Sequence, residues 1–307
     1  MKKPLPTLAV TGGTGFVGST LVRHAVMRGH KVRALTRRPQ GTHPKIRWID
    51  GALDRPDALA ELMAGADAVI HVAGAVNAPD RAAFAAANVE GTLNMVEAAK
   101  VAGVRRFIHV SSLAAREPEL SHYGWSKARS EQVVGASGLD WTVVRPPAVY
   151  GPGDREMLDL FRMARRGVLL LPPPGRISVI EVSDLSRLLL TLVGAADTLA
   201  TTLEPDDGRD GGWSHVEFAE AIGQAVGRRR VRTLSLPRPL LRLGARTDRL
   251  VRGRRAKLTL DRVDYFSHPD WVCSAAARPH PDLWRAHIET IAGLRATAVA
   301  YRAAGWL

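Results

Sequence analysis

The segment Thr11-Gly12-Gly13-Thr14-Gly15-Phe16-Val17-Gly18 stands between a short apolar run, Leu8-Ala9-Val10, and a stretch of helical length from Val17 to Arg28. A strand that turns through closely spaced glycines directly into a helix leaves its backbone N–H groups and the positive end of the helix dipole open to a pyrophosphate. Gly12, Thr14, Gly15, Phe16, Val17 and Gly18 are therefore expected around such a group. The same alternation continues for some 150 residues. Strand-like runs at Lys31 to Thr36, Arg47 to Asp50, Ala68 to Val72, Phe107 to Ser111 and Trp141 to Arg145 lack a polar face, as strands covered on both sides should. Pro56 to Ala64, Asp80 to Ala102 and Tyr123 to Ser137 have helical length between them, and Gly29, Gly65, Gly103 and Gly138 stand where C-terminal caps belong. This is the pattern of βαβ units on a parallel sheet.

The expected fold is α/β: a doubly wound parallel sheet of Rossmann type with a smaller, mainly helical C-terminal substrate region. After Arg145 the texture changes to Pro/Gly punctuation in RPPAVYGPGD and LLLPPPGRIS, while Ile177 to Val193 reads as one more strand and helix of the first unit. The nucleotide-binding part is thus expected over residues 1–151 with 176–200, and the substrate-binding part over 152–175 and 201–307. Apolar residues at 46% and charged residues at 24% suit a folded globular chain. Cys273 is the single cysteine, which excludes an internal disulfide and suits a reducing cytoplasm. Neither a signal-peptide core nor an apolar run of bilayer length (~20 residues) is present, so a cytoplasmic location is expected. The ten histidines lack metal-ligand spacing, and no metal is expected. A net charge of +13 speaks to solubility and non-specific binding before function, so no specific nucleic-acid partner is expected.

The glycine spacing is TGxxGxxG, and further motifs follow in order: HVAG at His71 to Gly74, NVEGT at Asn88 to Thr92, VSS at Val110 to Ser112, YGWSK at Tyr123 to Lys127 and RPPAVYGPGD at Arg145 to Asp154. Together they resemble the extended branch of the short-chain dehydrogenase/reductase superfamily, which holds epimerases, dehydratases and 3β-hydroxysteroid or dihydroflavonol-type oxidoreductases. The resemblance implies a nicotinamide dinucleotide, with Val72, Ala73, Gly74, Pro146 and Val149 beside it. An acidic residue after the second strand would bind the ribose of NAD, but this strand ends Leu35-Thr36-Arg37-Arg38. Arg37 and Arg38 suit the 2′-phosphate of NADP(H), which is preferred over NAD(H). Gly51-Ala52-Leu53 replaces a GDL turn whose Asp often contacts adenine in related proteins, leaving backbone and apolar contacts, Leu53 among them.

Tyr123 and Lys127, four apart, share one face of a helix, where an ammonium would lower the phenol's pKa. The resemblance gives Tyr123 and Lys127 cofactor contacts as well, and makes Ser112 the donor to a substrate carbonyl. Ser111 is its rival. Asn88 either orders a water behind the lysine or is buried for structural reasons, and His109 reads as a satisfied core histidine. Leu113 and Ala114 follow Ser112 where dehydratases carry Asp and Glu, and Ala148 stands where nucleotide-sugar enzymes use Asn to hold the diphosphate. Only ten residues separate Ser112 from Tyr123, which implies a short rim loop. The surviving expectation is hydride transfer between NADP(H) and a ketone or secondary alcohol on a hydrophobic or polycyclic small molecule. The alternatives are a sugar-type epimerase, or a non-catalytic NADPH-binding sensor or assembly protein. Trp213, Phe218, Tyr265, Phe266, Trp271 and Trp284 either line an apolar pocket or pack a core. Between Arg228 and Lys257 stand twelve basic residues and one acid, Asp248. This stretch reads as a surface helix pair with its leucines inward, the alternative being contact with anionic membrane or a partner. By resemblance, the helices at 80–102 and 123–137 would make a homodimer.

Overall fold

Apolar runs of four or five residues, each followed by a helix, can bury both faces only in the middle of a layered sandwich. In the computed structural model, which describes residues 4–253 and 259–307, the chain starts β1 (Leu8–Thr11), α1 (Phe16–Arg28), β2 (Val32–Thr36), β3 (Ile46–Asp50), α2 (Pro56–Met63) and β4 (Ala68–His71). It continues through α3 (Arg81–Phe84), a π-helical turn at Ala85–Glu90, α4 (Gly91–Val101), β5 (Arg106–Val110), α5 (His122–Gly135), β6 (Asp140–Val144) and β7 (Ala148–Tyr150). Then come α6 (Leu158–Arg166), β8 (Val168–Leu171), β9 (Arg176–Ile177), β10 (Val179–Glu181), α7 (Val182–Leu192), β11 (Thr201–Leu203) and β12 (Trp213–Ser214). The last elements are α8 (His215–Ala225), β13 (Arg232–Ser235), α9 (Arg238–Arg252), α10 (Leu260–Phe266), β14 (Asp270–Trp271) and α11 (Thr290–Ala303).

Seven strands form one parallel sheet in the order β11-β6-β5-β4-β1-β2-β3, so the winding direction reverses between β1 and β4. One face packs Leu8, Val10, Ile70 and Ile108 on Leu21, Ala25, Leu185 and Leu189 of α1 and α7. The other packs Val69, Phe107 and Val143 on Leu59, Leu62, Met95 and Val134 of α2, α4 and α5. Each such side chain, fully buried, contributes about 1.5–3 kcal/mol. A second core gathers Tyr150, Phe161, Leu169, Phe218, Ile222 and Tyr301 among β7, α6, β8, α8 and α11, with Phe161 edge-on to Tyr301 at 5.1 Å.

Three details differ from the linear pattern. The main sheet acquires its seventh strand from β11, beyond residue 200, because Thr201–Leu203 aligns with Thr142–Val144 of β6. The strand before α7, β10, pairs with β7 in a sheet of its own. The stretch from 80 to 102 winds as one continuous helix whose middle turn is π, a widening that commonly marks functional segments. Among the described residues no helix is long and apolar enough to cross a membrane.

The leucines of α9 follow expectation only in part: Leu241 faces an internal cavity and the others do not. Leu241 and the buried Ala245 face the body of the protein, and Arg238 and Arg242, half-exposed beside them, reach Asp264 of α10 at 2.7 and 3.1 Å. Leu240, Leu243, Leu250 and Val251 consequently point outward. The rest of the basic stretch, residues 254–258, lies outside the described residues.

Candidate active site

The glycine loop lies where the sheet reverses. Gly12 has φ +70°, and a Cβ there would come within 2.8 Å of the Ala73 nitrogen. A Cβ on Gly18 would overlap the Gly12 carbonyl and lie 3.0 Å from Gly13 Cα. The loop is therefore pressed between the first turn of α1 and the end of β4, with no space for a side chain at Gly12 or Gly18. Gly15 caps α1 without a side-chain hydrogen bond, which leaves the helix's first N–H groups for a ligand or solvent. This cradle fits the pyrophosphate of a dinucleotide. Thr14 is exposed at the loop tip, while Phe16, Val17, Val72, Gly74, Pro146 and Val149 line the adjoining cavity. Ala73 donates to Thr11 Oγ1 at 3.1 Å, tying the β4 loop to β1.

Arg37 and Arg38 follow β2, next to the glycine loop in the sheet, and both are exposed. Thr36 Oγ1 donates to the Arg38 carbonyl at 2.7 Å and accepts from its N–H at 3.2 Å, which fixes the turn. Leu53 is half-buried, held on α4 by Asn94, whose Nδ2 donates to the Leu53 carbonyl at 2.8 Å, and by close packing on Gly91.

Ser121 caps α5 by accepting from Gly124 N–H at 2.9 Å, and this start places Tyr123 and Lys127 on one face beside Ser112. Burial raises the Tyr123 phenol above its usual pKa, Ser112's hydrogen bond partly offsets this, and Glu156 adds to it. Lys127 is 4% exposed, and its Nζ donates to the Val110 carbonyl at 2.8 Å. Burial pushes its pKa down to about 8, against a smaller pull upward from Glu131. Ser112 is hydrogen-bonded to the phenol, while the ammonium is bonded to the Val110 carbonyl. A buried ammonium needs an oxygen close by, and the end of β5 supplies it.

The neighbouring Ser111 donates its hydroxyl to Glu131, which Arg145 clamps with two bonds of 2.9 and 2.7 Å. Arg145 also reaches Glu204 at 3.5 Å. Sequence reasoning missed Glu131 and Glu204; the one available signal was Glu131 standing one helical turn beyond Lys127. Asn88 lies in the π turn with both ends of its amide engaged. Oδ1 accepts from Ala75 N–H at 2.7 Å, and Nδ2 donates to the Ala75 carbonyl at 3.0 Å and Ser126 Oγ at 2.8 Å. Asn88 thus ties the β4 loop to α5. His109 is buried as expected and stacks on His71 at 5.4 Å, but it is satisfied only at Nε2, which lies 2.9 Å from Ser130 Oγ; Nδ1 has no partner among the described residues. Burial first, and the Lys127 charge second, keep both rings neutral, with His71 pushed down to about 3.

Tyr123 and Ser112 open on a cavity of about 1090 Å³ that runs into the C-terminal region. Phe218, Tyr265, Phe266 and Trp271 line it, whereas Trp213 bonds Asp207 at 2.7 Å and Trp284 packs on the α1 and α7 core. The aromatic set thus divides between pocket and core. Two rim features had no sequence signal: Arg81 stacked 4.0 Å over Trp125, and Glu156 facing Arg262 at 3.8 Å.

A family model described as NAD(P)H-binding matches residues 12–159. A ceramide reductase of Caulobacter vibrioides is 36% identical over 310 residues, covering 98% of this chain and 96% of that protein. A 3-beta-hydroxysteroid dehydrogenase of Mycolicibacterium neoaurum is 30% identical over 199 residues, covering 55% of this chain and 54% of that one. Among solved structures, MoeE5 in complex with UDP-glucose and NAD superposes with a TM-score of 0.74 at 23% identity, over 97% of this chain and 99% of that one, and shares the fold. With this glycine cradle and this sheet order, the chain belongs to the extended short-chain dehydrogenase/reductase superfamily as an NAD(P)-dependent oxidoreductase.

Proposed function

We propose that the protein is an NADP(H)-dependent ketoreductase for a lipid-like substrate, in which one ketone is reduced while a long apolar portion fills the C-terminal cavity. The observation that carries this reading is the lining of the site: Ser112, Tyr123 and Lys127 share one cavity with Leu169, Leu171, Phe218 and Ile222 of the C-terminal region. Its volume of about 1090 Å³ exceeds the roughly 300–1,000 Å³ usual for one small molecule, as a cavity shared by substrate and the cofactor end beside Phe16, Val17, Val72 and Gly74 would. The full-length likeness to a protein named for ceramide supports the same substrate class. Apolar walls, and Ala148 in place of an amide, weigh against a nucleotide sugar.

The glycine cradle and the N-terminus of α1 would hold the cofactor's pyrophosphate, and Arg37 and Arg38 its 2′-phosphate; when bound, the cofactor supplies hydride. Ser112 Oγ donates to the substrate carbonyl and polarises it. Tyr123, which burial keeps protonated at neutral pH, passes its phenolic proton to the oxygen as negative charge develops there. Lys127, fixed on the Val110 carbonyl, supplies positive charge behind the phenol as it loses that proton. Asn88 and the Glu131–Arg145 clamp hold the loop, helix and strand end that carry these groups.

The test follows oxidation of NADPH with a series of 3-oxo lipids of increasing chain length. Each newly buried methylene is expected to raise kcat/KM by about fourfold, from about 0.8 kcal/mol per group, until the cavity is full. Tyr123→Phe should lower turnover by at least about 10²-fold while cofactor affinity stays unchanged. Independence from chain length, or a full rate in the Phe variant, would overturn the reading.

A further inference from the structure

α9 presents its apolar stripe to solvent. Leu240, Leu243, Leu250 and Val251 are 53%, 57%, 84% and 83% exposed, and at 3.6 residues per turn they fall within an arc of about 100°. A helix of this length ordinarily turns its apolar residues toward the core, yet here only Leu241 and the buried Ala245 face the protein, and the half-exposed Arg238 and Arg242 pair with Asp264 of α10 at the edge of that contact. Leu234 on β13, just before the helix, is exposed as well. An outward stripe of this kind on a folded chain marks a surface that is covered in use.

Charge identifies what covers it. Exposed Arg246 flanks the stripe, exposed Arg229, Arg230 and Arg232 precede it, and Arg254, Arg255 and Lys257 follow in the sequence. Apolar residues on one side of a helix and arginines along the other, at low overall hydrophobicity, are the design of a segment that lies in the headgroup region of an anionic bilayer. Position supplies the second argument. Leu241 on α9, Leu236 just before it and Leu260 at the start of α10 line the substrate cavity. The element that meets the lipid therefore also forms the wall of the pocket.

We propose that α9 docks the protein on anionic lipid bilayers and places the mouth of the cavity against the membrane, so that an apolar substrate moves from the lipid phase to Tyr123 without crossing water. The delivery half of this proposal rests on the ketoreductase reading; the docking half does not.

The experiment is co-sedimentation of the full-length protein, at physiological salt, with phosphatidylcholine vesicles containing roughly one-third phosphatidylglycerol, and with phosphatidylcholine alone. Binding to the anionic vesicles at least about tenfold stronger than to neutral ones is expected. The triple variant Leu243→Gln, Leu250→Gln, Val251→Gln should lose at least about tenfold of that binding, and Arg246→Glu should weaken it too. Cofactor affinity, unchanged in both variants, confirms that they are folded. Lack of vesicle binding by the native chain, or native-like binding by the triple variant, would refute the docking. So would a lipid-free dimer held through this stripe, seen by sedimentation velocity and abolished by the triple variant. A protein that binds vesicles yet reduces no ketone would refute the proposed function and leave the docking intact; one that reduces soluble ketones without binding vesicles would refute the docking alone.

Discussion

Replacing Gly18 by Ala places a methyl group inside the contact distance of the Gly12 carbonyl, 2.6 Å from its carbon and nearer still to its oxygen. Two effects oppose each other. Gly18 lies in the first turns of α1, where Ala is favoured over Gly by about 1 kcal/mol. The overlap, however, is with backbone, and relieving it requires roughly an ångström of movement in a close-packed loop. Gly12 cannot retreat, since it is itself wedged against Ala73 at a φ of +70°. Overpacking of this kind costs about 1–3 kcal/mol, so it equals or exceeds the helical gain. The net loss of about 0–2 kcal/mol should lower Tm by no more than roughly 4 °C. The larger effect should be on the cofactor, because the movement re-aims the N–H groups that meet its pyrophosphate, and a loss of about 1.4 kcal/mol there weakens binding tenfold. Gly13→Ala is the control in the same loop. Its Cβ would meet side-chain carbons of Ala34 and Val22 at 3.4 Å, on the side facing β2 and α1. Thermal unfolding together with titration of reduced-nicotinamide fluorescence measures both effects. Tight binding by Gly18→Ala, or equal damage from Gly13→Ala, would refute the geometric reasoning.

Further outcomes follow from the same site. Charge reversal at Arg37 and Arg38 (Arg37→Glu with Arg38→Glu) should shift the ratio of NADPH to NADH affinity by at least about tenfold toward NADH, and an unchanged ratio would remove the two arginines from the 2′-phosphate site. Lys127 has its folded pKa depressed to about 8 from 10.5, so the folded state disfavours its charged form. The penalty is complete below pH 8 and disappears as pH rises toward 10.5, hence the stability of the native protein relative to Lys127→Met should increase across that window, by about 3 kcal/mol in all. Urea unfolding of the cofactor-free proteins at several pH values reads this difference, and a flat difference would contradict the burial of the ammonium.

Much of this molecule could be read along the chain because local pattern governs it. Strands at 8–10, 31–36, 47–50, 68–72, 107–111 and 141–145, the glycine turn into α1 and the Tyr123–Lys127 spacing all depend on neighbours within one turn or one loop. Contacts between distant segments were not legible. Ser111 bonding to Glu131 and Arg145 reaching Glu204 join residues from different elements, and no spacing rule announces such partners. Asn88 was read as ordering a water behind the lysine or as buried for structure, and His109 as a core histidine, but which protein atoms they would meet depended on how α5 sits against the π turn and β5. The basic stretch was read as a surface helix with its leucines inward, and that holds for Leu241, which lines the cavity, but not for Leu240, Leu243 and Leu250, which are exposed. Periodicity determines that a helix has two sides, whereas the direction each side points is decided by tertiary partners, here Asp264 pairing with Arg238 and Arg242 where α9 meets α10.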